Sequence, residues 1–302
     1  MIEGLAIVLG PMFLGYLIKT RNEGFLLNIN RIVMILLYII LFVMGVSLGQ
    51  LDDLATTLPK IATTAFTFSV IIHACNITGL MCYDKMYPQP LKDLGTEMPP
   101  RWKLMLDSLK LCSMVLLGFI VGLLAKSHLL LPLGTSTYVL VTLIFFVGIQ
   151  LRNNGISLHE VMFNKRGIYT AVIFIITSLI GGIIAALVLS TPISQGLTIA
   201  SGFGWYSLSS VVLNDAWGAV WGSVGFFNDL TREIFSLFTV PLFMHYNRST
   251  AVGITGATAL DCTLPIIQRA GGMEVVPLAI SFGFIINIAA PILLVFFSSI
   301  PL

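Results

Sequence analysis

Apolar residues run through the chain in long blocks separated by short polar interruptions. Blocks at 4–18, 32–51, 61–83, 109–125, 137–151 and 168–190 approach or reach the roughly 20 apolar residues that a spanning helix needs. They predict six spans, several short or tilted. Beyond Ser190 the pattern changes. Glycine and polar residues break 196–228, 231–247 reads as a helix that holds charges, 252–268 is again glycine-rich, and 276–299 is a clean last span. The two glycine-rich stretches predict re-entrant or broken helices, which are tolerated at membrane depth only where protein or water lines their freed backbone groups. The expected fold is an all-α polytopic membrane protein of about eight transmembrane helices plus these two segments.

Composition supports that reading. With 57% hydrophobic and 10% charged residues, the chain departs from the roughly 25% charged of soluble domains. A mean hydropathy of +0.96 leaves too few polar residues to clothe a globule, which excludes an ordinary soluble enzyme. Cys75, Cys82, Cys112 and Cys262 show no CxxC spacing, so neither a metal site nor a disulfide framework is expected, and no cofactor. A net charge of +2 without a Lys/Arg stripe gives no reason for a nucleic-acid partner. Met1-Ile2-Glu3 lacks a basic leader region and no A-x-A site follows, so no cleavable signal peptide is expected.

Charge also orients the spans. With the N-terminus outside, 13 of the 16 Lys and Arg fall on inside loops, leaving Lys60, Lys126 and Arg232. That asymmetry predicts eight spans with both termini outside, provided each glycine-rich stretch returns to its own side. Two crossings made together by 196–228 would preserve it equally.

The run Phe42-Val43-Met44-Gly45-Val46-Ser47-Leu48 resembles Phe145-Phe146-Val147-Gly148-Ile149-Gln150-Leu151 at an offset of 103, and Leu14-Gly15-Tyr16 matches Leu117-Gly118-Phe119 at the same offset. Lys60 to Ala65 agrees more loosely with Arg166 to Ala171. Three helices per unit is an odd number, so the second unit must run through the membrane inverted, an arrangement typical of transporters. The expected organisation is one domain, 1–302, with a three-helix unit at 1–105, its inverted counterpart at 106–190, and a core at 191–302.

Carboxylates within spans cost about 2.5–3.5 kcal/mol on insertion scales and persist where a partner or water receives them. Asp52 and Asp53 fit a solvated cap closing the second span. Asp229 and Glu233 stand at i and i+4 on one helix face with Arg232 between them. Asp229 fits a charge at the helix N-terminus with Arg232 as partner, whereas Glu233 lies deeper and is a functional candidate. Asp261, among small residues and ahead of Pro265, could supply a cation or proton site beside a helix break, or be a loop residue near the inner surface. The Ser201–Ser210 stretch, with Gly202, Gly204 and Ser207, would aim backbone N–H groups at an anionic group or would simply pack closely through small residues. Asn153 and Asn154 fit a helix end and turn. His73 reads as a packed core residue.

Four of these segments taken in order resemble a known family. Phe146 to Gly155, Ser201 to Ser209, Phe227-Asn228-Asp229 with Arg232-Glu233, and Gly256-Ala257-Thr258 with Asp261 through Gly272 resemble the bacterial lysine exporter family (LysO), and the similarity runs nearly end to end. The resemblance implies an inner-membrane, multi-pass exporter of lysine and its toxic analogue thialysine, exchanging them for protons, with both termini periplasmic. It implies that Glu233 and Asp261 carry coupling. The family shows Asp-Asn where this chain has Asp52-Asp53, which weakens any role for Asp53. Secondary candidates at the substrate site are Asp229, Gly202, Gly204, Ser207, Asn153 and Asn154. Partners are then lysine, thialysine, H+ and the lipid bilayer, with a homodimer as a further option.

Antiport has independent physical sense, since expelling Lys⁺ against an inside-negative potential costs about 2.3 kcal/mol per 100 mV and inward H⁺ cancels it. A sodium-coupled carrier of a small organic anion is the competing reading, disfavoured because an anion site calls for intramembrane cations and only Arg232 qualifies. An intramembrane protease would need GxGD or GxSG, and neither occurs.

Overall fold

The computed structural model describes residues 10–20, 22–50, 54–89, 101–125, 135–153, 164–260, 262–272 and 274–300. Every regular element among them is helical. A helical segment at 10–16 precedes α1 (Glu23–Gly49), α2 (Leu54–Met86), α3 (Arg101–Ala125), α4 (Thr135–Asn153) and α5 (Lys165–Leu189). Then come α6 (Ile193–Ala200), α7 (Tyr206–Trp217), α8 (Ala219–Met244), α9 (Arg248–Gly253), a 3-10 turn (Gly256–Leu260), α10 (Leu264–Gly271) and α11 (Val276–Ser298). Four stretches, 24–49, 56–86, 165–189 and 276–298, are long and apolar enough to cross a membrane, and 113–125 and 138–150 are shorter apolar helices. Two helices start at side-chain caps. Asn22 accepts the Phe25 N–H at the head of α1, and Asn164 accepts that of Gly167 in α5.

Glycines decide how the first helices pack. A Cβ added at Gly15 would overlap Phe145 O, and one at Gly148 would overlap Met12 O, so segment 10–16 lies against α4 backbone to backbone. Gly45 meets Val115 O and Gly118 meets Phe42 O, which brings α1 equally close to α3. Only residues without a side chain permit such approach. Helices α2 and α5 pack on one another and on the remaining core elements, with α8 and α11 closing round them.

The two glycine-rich stretches form hairpins from opposite ends of the bundle. Leu189, at the end of α5, and Trp217, at the end of α7, share one apolar cluster with Leu48 and Ile61, so 193–217 returns to the end where it began. Its helices have 8 and 12 residues, roughly 12 and 18 Å, each short of a 30 Å hydrocarbon core. Helix α8 then carries the chain to the other end. There α9 starts against Asp84 of α2 and Arg166 of α5, and Arg248 meets Glu274 at 3.4 Å after α10. The tips meet in the middle, where the Ala257 N–H donates to Phe203 O at 2.8 Å.

One sequence expectation is corrected. The charged helix was expected from 231, with Asp229 at its N-terminus; α8 instead begins at Ala219, about three turns earlier. The break lies at Gly218, whose φ is +85°. Gly222 and Gly225, which read as interruptions, are helical positions that let α8 sit against Ser210, Leu213 and Asn214 of α7.

Candidate functional site

The chain reverses at 201–205 with Phe203 at φ +51° and Gly204 at φ +93°. This left-handed pair turns α6 into α7 and leaves the first N–H groups of α7 without helical acceptors. Asp229 reaches this turn from α8. Its Oδ1 accepts the Gly204 N–H at 3.1 Å and the Asn228 side-chain amide at 3.1 Å, and its Oδ2 accepts the Ser209 hydroxyl at 2.5 Å. Asp229 is fully buried, and a Cβ at Gly202 would run into its Oδ2. Gly202 therefore makes room for the carboxylate, and the Gly204 N–H is engaged by it.

Arg232 lies one turn further along α8 and is 1% exposed. Its Cδ fills the space a Cβ would take at Gly204 and Gly256, one glycine from each tip, and its guanidinium stands 5.2 Å over the Phe174 ring. Nη1 points at Ile254 O, 3.5 Å away at the C-terminal end of α9. The pair thus sets a negative group at the positive end of one half-helix and a positive group at the negative end of another, each position favoured by the helix dipole. Asp229 serves as a terminal charge for α7, not for its own helix.

In front of the tips is a cavity of about 130 Å³. Gly204 to Ser207 of the first hairpin, Ala257, Thr258 and Cys262 of the second, and Asn287 of α11 line one side. Val33, Met34 and Leu37 of α1 and Leu143, Val147 and Gln150 of α4 line the other. None of these described lining residues is charged. Glu233, on α8, is 5% exposed and lies outside this lining. Asp261 lies outside the described residues, between Leu260 and Cys262 in sequence; Asn154, Asp52 and Asp53 are also outside them.

Of the other candidates, Ser207 faces the cavity. Asn153 does not: its amide donates to Ile18 O and Ile149 O, both at 2.8 Å, and its oxygen accepts the Thr20 N–H at 2.8 Å, which ties the end of segment 10–16 to α4. His73 is buried on α2, with Nδ1 at 2.6 Å from Ser69 O and its ring edge against Phe235.

Two polar residues escaped the sequence reading. Asp84 is 1% exposed; its Oδ1 meets Arg166 Nη2 at 2.6 Å, and its Oδ2 accepts the Thr250 N–H and hydroxyl, both at 2.8 Å. In sequence it stands beside Lys85 at the end of an apolar block, the normal place for a solvated charge. Asn287 is a single amide inside the uncharged last span, and that isolation was its only available signal.

The family described as lysine exporter LysO matches residues 112–298, more than half of the chain. The lysine exporter LysO of Escherichia coli K12 is 44% identical over 299 residues, covering 99% of this chain and all of that protein. A Haemophilus influenzae protein provisionally named a lysine exporter is 64% identical over 193 residues, covering 64% of this chain and 99% of its own length. No solved structure matches the chain.

Proposed function

Because the chain belongs to the lysine exporter LysO family, a family of membrane transporters and not of enzymes, we propose that it exports L-lysine and thialysine from the cytoplasm in exchange for protons. The observation that carries this reading is the position of the cavity, where both hairpin tips face α1 and α4. A site at the meeting of two hairpins from opposite ends needs only a shift of one group of helices against the other to open alternately to either side. Segment 10–16 with α1, α3 and α4 forms one group in this reading, and α2 with α5 to α11 the other.

The inverted repeat is part of the same proposal. Gly15 and Gly118, and likewise Gly45 and Gly148, are matched positions 103 apart, and they exchange partners: 10–16 packs on α4 as α3 packs on α1. A two-fold relation in the membrane plane produces that swap. With the basic loops inside, both termini lie in the periplasm, the first hairpin enters from the periplasmic side and the second from the cytoplasmic side.

Coupling rests on Glu233 and Asp261. A carboxylate holds either a proton or the substrate ammonium, and this competition gives antiport when the empty, deprotonated carrier does not turn over. Asp229 has a different part, because its oxygens are taken by Gly204, Ser209 and Asn228.

The test uses purified protein in sealed vesicles with an imposed pH gradient. Lysine or thialysine added to inside-out vesicles should release luminal protons, and a neutral amino acid should not. Glu233→Gln and Asp261→Asn should each abolish the signal. Labelled-lysine uptake with no proton movement would replace antiport with another coupling, and full export by both variants would remove the two carboxylates from it.

A further inference from the structure

The polar atoms of the cavity differ in what they have left to offer. Asn287 is 8% exposed and projects from α11, where its Nδ2 donates to Ala257 O at 2.9 Å and to Gly283 O at 2.8 Å. Both amide hydrogens are spent on carbonyls, which also fixes the orientation of the amide, since a flipped group would set oxygen against oxygen. Oδ1 remains, with no partner among the described residues. Ser207 is 3% exposed and lies in the first turn of the 12-residue α7; its hydroxyl too has no partner among the described residues. Leu208 and Ser209 give their N–H groups to Trp205 O, whereas among the described residues no backbone acceptor serves the N–H of Ser207. Asp229 stands behind this turn and takes the Gly204 N–H, not that of Ser207.

The cavity therefore offers an unshared carbonyl-type acceptor on one element and a hydroxyl with a helix-end N–H on another. Both residues are largely buried yet line the cavity, so a ligand or water in it completes the hydrogen bonding that the protein leaves open there. The acceptor suits an ammonium, the donor pair suits a carboxylate, and an α-amino acid carries both on one carbon. Trp205 lines the same cavity, and an indole is a side chain that suits a cation. Leu37, Leu143 and Val147 offer apolar surface to methylenes.

We propose that Asn287 and Ser207 together recognise the α-amino-acid head group of the substrate, Asn287 Oδ1 accepting from the α-ammonium and Ser207 donating to the α-carboxylate. This rests on the cavity being the substrate site proposed above. It makes Asn287 the residue that disfavours ω-amino acids, which lack the α-ammonium, and Ser207 the one that disfavours diamines, which lack the carboxylate, while the side-chain ammonium is left to the coupling carboxylates.

The experiment measures competition against labelled lysine in proteoliposomes of the full chain, using two analogues that each lack one half of the head group. Cadaverine has no carboxylate and 6-aminohexanoate has no α-ammonium. With the wild type, each should compete on the order of tenfold less well than unlabelled lysine, the worth of one charged hydrogen-bonded contact. Asn287→Leu should bring 6-aminohexanoate level with lysine and leave the cadaverine gap. Ser207→Ala should narrow the cadaverine gap only. Asn287→Leu also removes bonds to Ala257 and Gly283; if it fails to fold, Ser207→Ala and the wild-type ratios still decide, because the serine side chain makes no described bond. Unchanged gaps in both variants, or wild-type protein that does not discriminate against the analogues, would overturn the head-group assignment while lysine transport stood. Wild-type liposomes that take up no lysine would overturn the transport reading itself, and this inference with it.

Discussion

The Asp229 carboxylate and the Gly204 N–H, 25 residues apart in sequence, are joined at 3.1 Å across two elements, and the bond fixes the turn from which α7 starts. Ser209 supplies a second donor at 2.5 Å to the other oxygen. Asp229→Asn keeps the volume but replaces one acceptor oxygen with a donor, so an N–H or O–H then faces another donor. The expected cost is about 1–3 kcal/mol, read as a lower melting temperature in detergent, with transport falling alongside it. Ser209→Ala leaves the Gly204 bond in place and should cost less.

Gly202 and Gly204 should both resist alanine, for different reasons. At Gly202 the methyl group would meet Asp229 Oδ2 and stand 2.9 Å from Ser209 Cβ, so the carboxylate must move. At Gly204 the backbone is at φ +93° and the methyl group would stand 2.9 Å from Arg232 Cδ. Each variant should lose about 1–3 kcal/mol. Gly10→Ala, with no atom of the described residues within 4 Å, is the control and should leave thermal stability unchanged.

Hydropathy alone placed the long helices, because a 20-residue apolar block has few other destinations. It misjudged α8, since Gly222 and Gly225 read equally as breaks or as packing faces and only the neighbour, α7, decides between them. Asp229 was legible as a helix-end charge, but the end it serves belongs to another helix, and sequence spacing carries no such information. Asp84 was hidden by its place next to Lys85, where burial depends on Arg166 and on the start of α9, both far along the chain.

Asp84 leads to a third prediction. Its carboxylate joins α2 to Arg166 of α5 and to the backbone of Ser249 and Thr250, at 3.2 and 2.8 Å, so one side chain holds the second hairpin to the α2/α5 pair. Arg166 also donates to Ser249 Oγ at 2.8 Å and Tyr87 O at 2.9 Å. Asp84→Ala should cost about 3–5 kcal/mol, the usual penalty for breaking a buried pair by removing one partner. Arg166→Leu should also destabilise. In the double variant the loss should be well short of the sum, because each single change already disrupts the shared network. Thermal melts of the three proteins measure this, and additive losses would mean that the two side chains act independently.

The glycine contacts carry the last prediction. Gly45 of α1 lies against Val115 O of α3, and Gly148 of α4 lies against Met12 O of segment 10–16. In both cases a methyl group would overlap a carbonyl of the facing backbone, which cannot turn aside as a side chain would. The helices must separate, at an expected 1–3 kcal/mol for each alanine. If 10–16 with α4 and α3 with α1 are one arrangement seen twice in opposite directions, Gly45→Ala and Gly148→Ala should lower the melting temperature by similar amounts, and so should Gly15→Ala and Gly118→Ala. Adding a second alanine within one contact should cost little more than the first, because the helices have already moved apart, whereas one alanine in each contact should add. Single and paired melts decide it: a large loss at Gly45 with none at Gly148 would break the equivalence that the matched positions imply.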